Sequence, residues 1–262
     1  MNEIKQRLLG WKVESSEEVG FHPVITKENS ECKAIEIYRL NLLAGQKYSL
    51  ETKSKEMHPV LIEGQAILED HDELNQEMKD LDSFYLPSNN KITIKALEDS
   101  IFYIAAAKCE GIGKPSFRKF DISLPIGDIH QIHGKGVGER EVMFTLDPNT
   151  PASHLICGVT RSNVGGWTSW PPHQHEKDLE EAYCYFNMPK PKFGLHLSYL
   201  ESGDIDNCVA HTVSSGTMVM APCGYHPTVS SPATRNYYFW ALASFSPEQR
   251  RYDLAINDPN FE

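Results

Sequence analysis

Apolar and polar positions alternate along this chain in short runs. Ile35-Glu36-Ile37-Tyr38, Val60-Leu61-Ile62, Ile92-Thr93-Ile94 and Ile101-Phe102-Tyr103-Ile104 lie in the first half. Leu155-Ile156-Cys157, Ala182-Tyr183-Cys184-Tyr185-Phe186, Leu195-His196-Leu197 and Tyr237-Tyr238-Phe239-Trp240 repeat the style in the second. Short β-branched and aromatic runs between Gly, Pro, Asn and Asp turns predict an all-β sandwich or barrel. Helical periodicity is scarce; Ser16–Val19 and Ser246–Arg251 are each expected to hold at most one turn.

The two halves resemble each other. His58-Pro59-Val60-Leu61-Ile62-Glu63-Gly64 is followed by Asp82-Ser83-Phe84-Tyr85-Leu86-Pro87. Glu181-Ala182-Tyr183-Cys184-Tyr185-Phe186 is followed by Gly216-Thr217-Met218-Val219-Met220-Ala221-Pro222. The expectation is two β-barrels from one plan, residues 1–120 and 121–262, joined by the Gly-, Pro- and charge-rich stretch 111–151. A chain of 262 residues suits one large core or two β-domains of about 100–130 residues.

Composition narrows the function classes. With 40% hydrophobic and 23% charged residues the chain is globular. A formal net charge of −11 repels phosphate backbones, so nucleic acid is not an expected partner. Met1–Trp11 lacks the apolar centre of a signal peptide, and no apolar run approaches the ~20 residues of a membrane span. A soluble, cytoplasmic protein without a membrane partner is expected. The six cysteines form no C-x-x-C pair and read as buried free thiols.

One constellation carries chemistry. In Trp170-Pro171-Pro172-His173-Gln174-His175, extended backbone points residues i and i+2 the same way, so His173 and His175 can face one ion. Glu180-Glu181 follows after a short turn, and Pro222-Cys223-Gly224-Tyr225-His226 supplies a third imidazole after a glycine turn. Three imidazoles and one carboxylate suit a divalent ion, Zn²⁺ or Mn²⁺ first and Fe²⁺ also. Spacing leaves the glutamate open: Glu181, Tyr183 and Tyr185 share one strand face, and Glu180, Ala182, Cys184 and Phe186 the other. The polar lining that the tyrosines would give a cavity favours Glu181.

At these residues the chain resembles the cupin superfamily, and within it the family of 5-deoxy-glucuronate isomerase and 5-keto-4-deoxyuronate isomerase. The resemblance rests on Gly166–His175, Leu179–Tyr183 and Ala221–Pro227. Asn257-Asp258-Pro259 looks like the first branch, and Tyr185-Phe186-Asn187-Met188 like the second. It covers most of the chain, strongly from about 130 to 260, and implies a bicupin with metal only in the second barrel. The first half fits, since it has no H-x-H and Pro87-Ser88-Asn89-Asn90 lacks the glycine and histidine of the second motif.

The resemblance also implies Glu181 as the fourth ligand and an aldose–ketose isomerase acting on a small sugar acid. 5-Deoxy-glucuronate of myo-inositol breakdown is preferred over 5-keto-4-deoxyuronate. Candidates to carry the proton are Glu180, Tyr183, Tyr185 and His196; Lys177 and Arg161 are candidates for the substrate carboxylate, and His130 and His133 for a pocket cap. His154 and His211 carry no signal. A homo-oligomer is compatible with the family, though no interface is marked. A metal-dependent oxygenase and a non-catalytic sugar-binding cupin are the competing classes.

Overall fold

A computed structural model describes residues 2–261. Strands form where the alternation expects them, including Glu36–Leu42, Lys55–Glu63, Ser100–Lys108, Leu155–Ser162, Leu179–Tyr185 and Tyr237–Ser244. Two large antiparallel sheets dominate. One runs Ser116–Arg118, Ser83–Tyr85, Lys55–Glu63, Ser100–Lys108, Glu36–Leu42, Gly20–Ile25. The other runs Lys12–Glu14, Thr217–Ala221, Leu179–Tyr185, Tyr237–Ser244, Leu155–Ser162, Arg140–Leu146, His130–His133. Each is backed by a four-stranded sheet, built from Lys47–Glu51, Ala66–Glu69, Glu77–Met78 and Lys91–Ala96 in the first half and from Trp167–Thr168, Gly194–Ser198, Val209–Val213 and Thr228–Ser230 in the second.

The period of two in a strand explains the burial. In Ser100–Lys108, Phe102, Ile104 and Ala106 pack into the first half's own core with Leu50, Leu68, Ile92 and Ile94. Tyr103, Ala105 and Ala107 face the other way, into a core shared with Cys157, Val159, Cys184 and Phe239 of the second half. The large sheets therefore meet back to back, and strands covered on both faces read as continuous apolar runs.

Two buried carboxylates fasten this interface, each at the same place in its half. Glu56 lies opposite Ala107 in the ladder and accepts from the backbone N–H groups of Ser153, His154 and Leu155 at 2.7, 2.7 and 2.8 Å. Glu180 lies opposite Ala243 and accepts from those of Lys33, Ala34 and Ile35 at 2.8, 2.7 and 3.2 Å. A run of backbone N–H groups makes a good seat for an anion, and such charge-assisted bonds contribute about 1.5–3 kcal/mol each.

One edge strand crosses between the halves: Lys12–Glu14, from the start of the chain, pairs with Thr217–Val219 of the second half, whereas Ser116–Arg118 pairs with Ser83–Tyr85 within the first. The division at residue 120 is thus crossed by the first fourteen residues. A helix missing from the sequence reading, Glu3–Leu9, precedes that strand; Asn2 caps it by accepting from Lys5 N–H at 2.9 Å. Residues 16–19 are not helical, and the turn in 246–251 is a 3₁₀ helix at Pro247–Gln249. The stretch 111–151 carries three strands of its own. Among the cysteines, Cys32, Cys157 and Cys184 are buried free thiols, while Cys109, Cys208 and Cys223 are only half-buried. No helix among the described residues is long and apolar enough to cross a membrane.

Candidate metal centre

His173-Gln174 forms a two-residue ribbon with Ile256-Asn257, rather than part of a large sheet. The next residue, Asp258, is fully buried; its N–H donates to Pro172 O at 2.8 Å, and its carboxylate accepts from Tyr199 Oη at 2.9 Å and Ser202 Oγ at 2.8 Å. The Asn257-Asp258-Pro259 motif thus clamps the H-x-H segment. Glu181 comes from the inner face of Leu179–Tyr185. His226 lies two residues after Gly224, where φ is +70° and a Cβ would come within 2.5 Å of Tyr199 O, so no side chain fits there.

These elements bring His173, His175, Glu181 and His226 together, with one potential ligand atom from each within 4.8 Å of all the others. Every imidazole is fixed in the same way: Nδ1 of His173 donates to Pro171 O at 3.0 Å, that of His175 to Leu179 O at 3.1 Å and that of His226 to Gly224 O at 3.0 Å. A carbonyl only accepts, so the proton of each neutral ring sits on Nδ1 and Nε2 presents a lone pair inward. Nε2 of His175 and of His226 lie 3.0 and 3.1 Å from Glu181 Oε2. His226 Nε2 is buried with no hydrogen-bond partner. Converging lone pairs and a carboxylate repel one another unless a cation lies among them, so the donor set fits a divalent ion.

Protonation agrees. Burial, then the neighbouring His226 and His175, holds His173 down to about 3, so the ring is neutral as a ligand must be. Burial pushes Glu181 up, but the adjacent His175 and His226 outweigh it and keep the carboxyl ionised.

The cavity beside these four residues is lined by Tyr183, Tyr238, Tyr252, Thr160, Arg140 and His133, with Trp170 and Trp240 in its walls. Of the proposed proton carriers, only Tyr183 lines it; its hydroxyl lies 3.0 Å from Ser169 Oγ. Glu180 is turned to the opposite face and spent on Lys33–Ile35, which removes it as a base. Tyr185 and His196 are fully buried beneath the cavity. There Thr228 Oγ1 donates to Leu195 O, Tyr185 Oη donates to Thr228, and His196 Nδ1 donates to Tyr185 at 2.9 Å. That chain supports the wall rather than touching a substrate.

The cations expected at the substrate carboxylate are elsewhere: Lys177 is exposed outside the cavity, and Arg161 pairs with Glu141 at 2.6 Å. His130 is tied to the same Glu141 at 2.8 Å, whereas His133 does line the cavity. His154 and His211 are buried. The reading missed Arg140, Tyr238 and Tyr252. Alternation groups Tyr238 with Trp240, but it does not say which face of a doubly buried strand looks into a cavity.

The counterpart of Glu181 in the first half is Met57: both lie one residue after the clasping glutamate, on paired strands. Met57 packs among Leu50, Leu61 and Leu86, so an apolar core fills the space that histidines and tyrosines line in the second half.

The profile of the KduI/IolB family matches residues 11–262. A relative from Geobacillus kaustophilus named 5-deoxy-glucuronate isomerase is 30% identical over 219 residues, 77% of this chain and 76% of that protein. One of the same name from Bacillus subtilis (strain 168) is 27% identical over 257 residues, covering 91% and 90%. Among solved structures, an IolB-like protein from Salmonella typhimurium LT2 superposes with a TM-score of 0.81 at 21% identity, covering 96% of this chain and 97% of that one. Bacillus subtilis oxalate decarboxylase, for which Mn(II) centres are described, superposes at 0.61 with 12% identity, covering 94% and 77%. A cupin 2 conserved barrel domain protein from Leptotrichia buccalis gives 0.52 at 11%, covering 87% and 90%. The fold is that of a cupin.

Proposed function

Because the chain belongs to the KduI/IolB family, whose profile spans residues 11–262, we propose that it is a metal-dependent isomerase converting 5-deoxy-glucuronate to its ketose in the cytoplasmic breakdown of myo-inositol. Its curated relatives are isomerases, and the chain is an intramolecular oxidoreductase of that kind. The observation that carries metal dependence is the convergence of three Nε2 lone pairs on the Glu181 carboxylate. One divalent ion, zinc or manganese first, would be held by His173, His175, Glu181 and His226, and would polarise the substrate carbonyl and its neighbouring hydroxyl.

The chain's own groups hold the sugar. Burial, and then the charge of Glu181, raises the phenols of Tyr183 and Tyr252, that of Tyr252 to about 12. Burial raises Tyr238 as well. All three stay protonated at neutral pH and act as hydroxyl donors, not bases. Tyr183 is placed to hold a proton at Oη beside a substrate oxygen, with Ser169 Oγ behind it. The indoles of Trp170 and Trp240 exclude water.

The test is to incubate metal-loaded protein with 5-deoxy-glucuronate and, separately, with 5-keto-4-deoxyuronate in D₂O and to follow product by NMR. Turnover of the first is expected. Turnover of the second alone moves the chain to the other branch, and turnover of neither, with metal bound, defeats the isomerase reading. Deuterium at the reacting carbon marks proton exchange with a protein group; its absence marks a hydride shift or a shielded proton.

A further inference from the structure

The cavity contains a cation that the metal centre does not use. Arg140 lines it together with His173, His175 and Glu181. It sits on the inner side of the seven-stranded sheet, three strands across from Glu181. Among the described residues the guanidinium makes one hydrogen bond, from Nη1 to Gly138 O at 3.2 Å. The adjacent acid, Glu141, is already engaged by Arg161 and His130 at 2.6 and 2.8 Å. The guanidinium otherwise has no carboxylate partner among the described residues.

Its position is built rather than incidental. Arg140 pairs in the ladder with His133, and Gly134 has a φ of +73°; a Cβ there would come within 2.8 Å of Arg140 Nη1. The glycine-rich loop 134–138 therefore leaves room for the guanidinium and turns a carbonyl toward it. Between Arg140 and the ligands stands a row of rings. His226 and Tyr183 are 5.7 Å apart between centroids, and Tyr183 and Tyr238 are 4.9 Å apart. After burial, Tyr238 and Tyr252 each feel both charges, Glu181 raising and Arg140 lowering their phenols. The cavity thus has a Lewis-acid end, a phenol-lined middle and a guanidinium end.

We propose that Arg140 seats the carboxylate of the substrate, with the sugar's reacting carbons at the His173–Glu181 end and its acid group on the guanidinium. This rests on the sugar-acid reading above. It also answers the chain's net charge of −11, which gives an anionic substrate no long-range attraction, so capture depends on a local cation. A planar guanidinium can hold a carboxylate through two parallel N–H bonds, whereas an ammonium offers only a point charge.

The test compares wild type with Arg140→Met and Arg140→Lys in metal-loaded protein. Metal content is checked by elemental analysis and is expected to be unchanged. Kinetics are measured on 5-deoxy-glucuronate and on 5-deoxyglucose, its neutral counterpart with a hydroxymethyl group. Equilibrium binding of the carboxylate probe D-glucuronate is followed by tryptophan fluorescence. Arg140→Met is expected to lower kcat/KM on the acid by about 10- to 100-fold, mostly through KM, as loss of charge-assisted hydrogen bonds implies. It should lower the slow reaction of the neutral sugar far less than that of the acid and weaken D-glucuronate binding similarly, with Arg140→Lys partly restoring the acid's kcat/KM and the D-glucuronate binding. Equal loss on acid and neutral sugar, or unchanged binding of D-glucuronate in Arg140→Met, overturns the proposal. Failure of wild type to turn over either sugar, with Arg140-dependent binding of D-glucuronate, would defeat the isomerase reading while leaving the carboxylate seat standing.

Discussion

Adjacent residues of one strand, Glu180 and Glu181, have opposite fates. Alternation sends Glu181 into the cavity and Glu180 into the interface between the halves. Glu181→Gln is expected to weaken metal affinity by an order of magnitude or more, the scale on which even supporting groups act. Glu180→Gln should keep the metal but destabilise the fold by about 3 kcal/mol, because buried N–H donors lose their charged acceptor. Metal titration and urea unfolding of both variants separate the two roles, and a reversed pattern would invert the assignment of the faces. A third buried group, with the other buried histidines, contributes to the acid limit. His58 bonds Thr145 across the halves at 2.9 Å, and burial, then the charge of Arg118, lowers it from the ordinary 6.5 to about 3. Between those values the unfolded chain takes up a proton that the folded chain refuses. Stability is therefore intact above pH 6.5 and falls as the pH drops toward 3. Between about pH 6.5 and about pH 5 this one site should remove about 2 kcal/mol. The pH slope of urea unfolding should be shallower in His58→Gln than in wild type, and equal slopes would show that His58 does not contribute to it.

At the scale of elements, the crossing of the first strand makes the start of the chain part of the second half. Leu8 and Trp11 are fully buried there, and Lys12–Glu14 closes the sheet edge beside Thr217–Val219. Trp11→Ala should cost about 3–5 kcal/mol, the usual penalty for emptying a large aromatic site. The loss belongs to the half that carries the ligands, so the variant should also hold metal less tightly in a chelator competition. A variant that loses stability but keeps full affinity would show that the first strand does not support the centre. The ribbon of His173-Gln174 with Ile256-Asn257 makes the same point from the other terminus: His173 stands on a segment only two strand residues long, with His175 directly after it, held through Asp258.

For the whole molecule, two copies of one plan are packed back to back, and only one has exchanged its apolar filling for chemistry. Metal bound to the folded state alone stabilises it by RT ln(1 + [L]/Kd), about 4 kcal/mol at a thousandfold excess over Kd. The melting temperature of metal-loaded protein should therefore exceed that of chelated protein by on the order of 10 °C. His226→Ala should abolish the difference, since it removes a ligand whose Nε2 has no other partner. A difference that persists in this variant would mean that the stabilising metal binds elsewhere.

The strands, the repeat and three members of the cluster, His173, His175 and His226, were legible in the sequence because each depends on near neighbours: period-two alternation, a proline-stiffened H-x-H and a glycine turn before His226. Resemblance then singled out Glu181, and the inward convergence of the quartet accords with it. What the sequence left undecided depends on contacts between distant residues. The destination of Glu180 is fixed by backbone N–H groups 145–147 residues away. Tyr185 and His196 are fully buried and do not line the cavity, because Tyr183, Thr228 and His211 pack around them. Arg140 and Arg161 are both cations near one sheet edge, yet Arg161 is neutralised by Glu141 while Arg140 faces the cavity. Local pattern assigns a residue to a face; only the packed structure decides what that face meets.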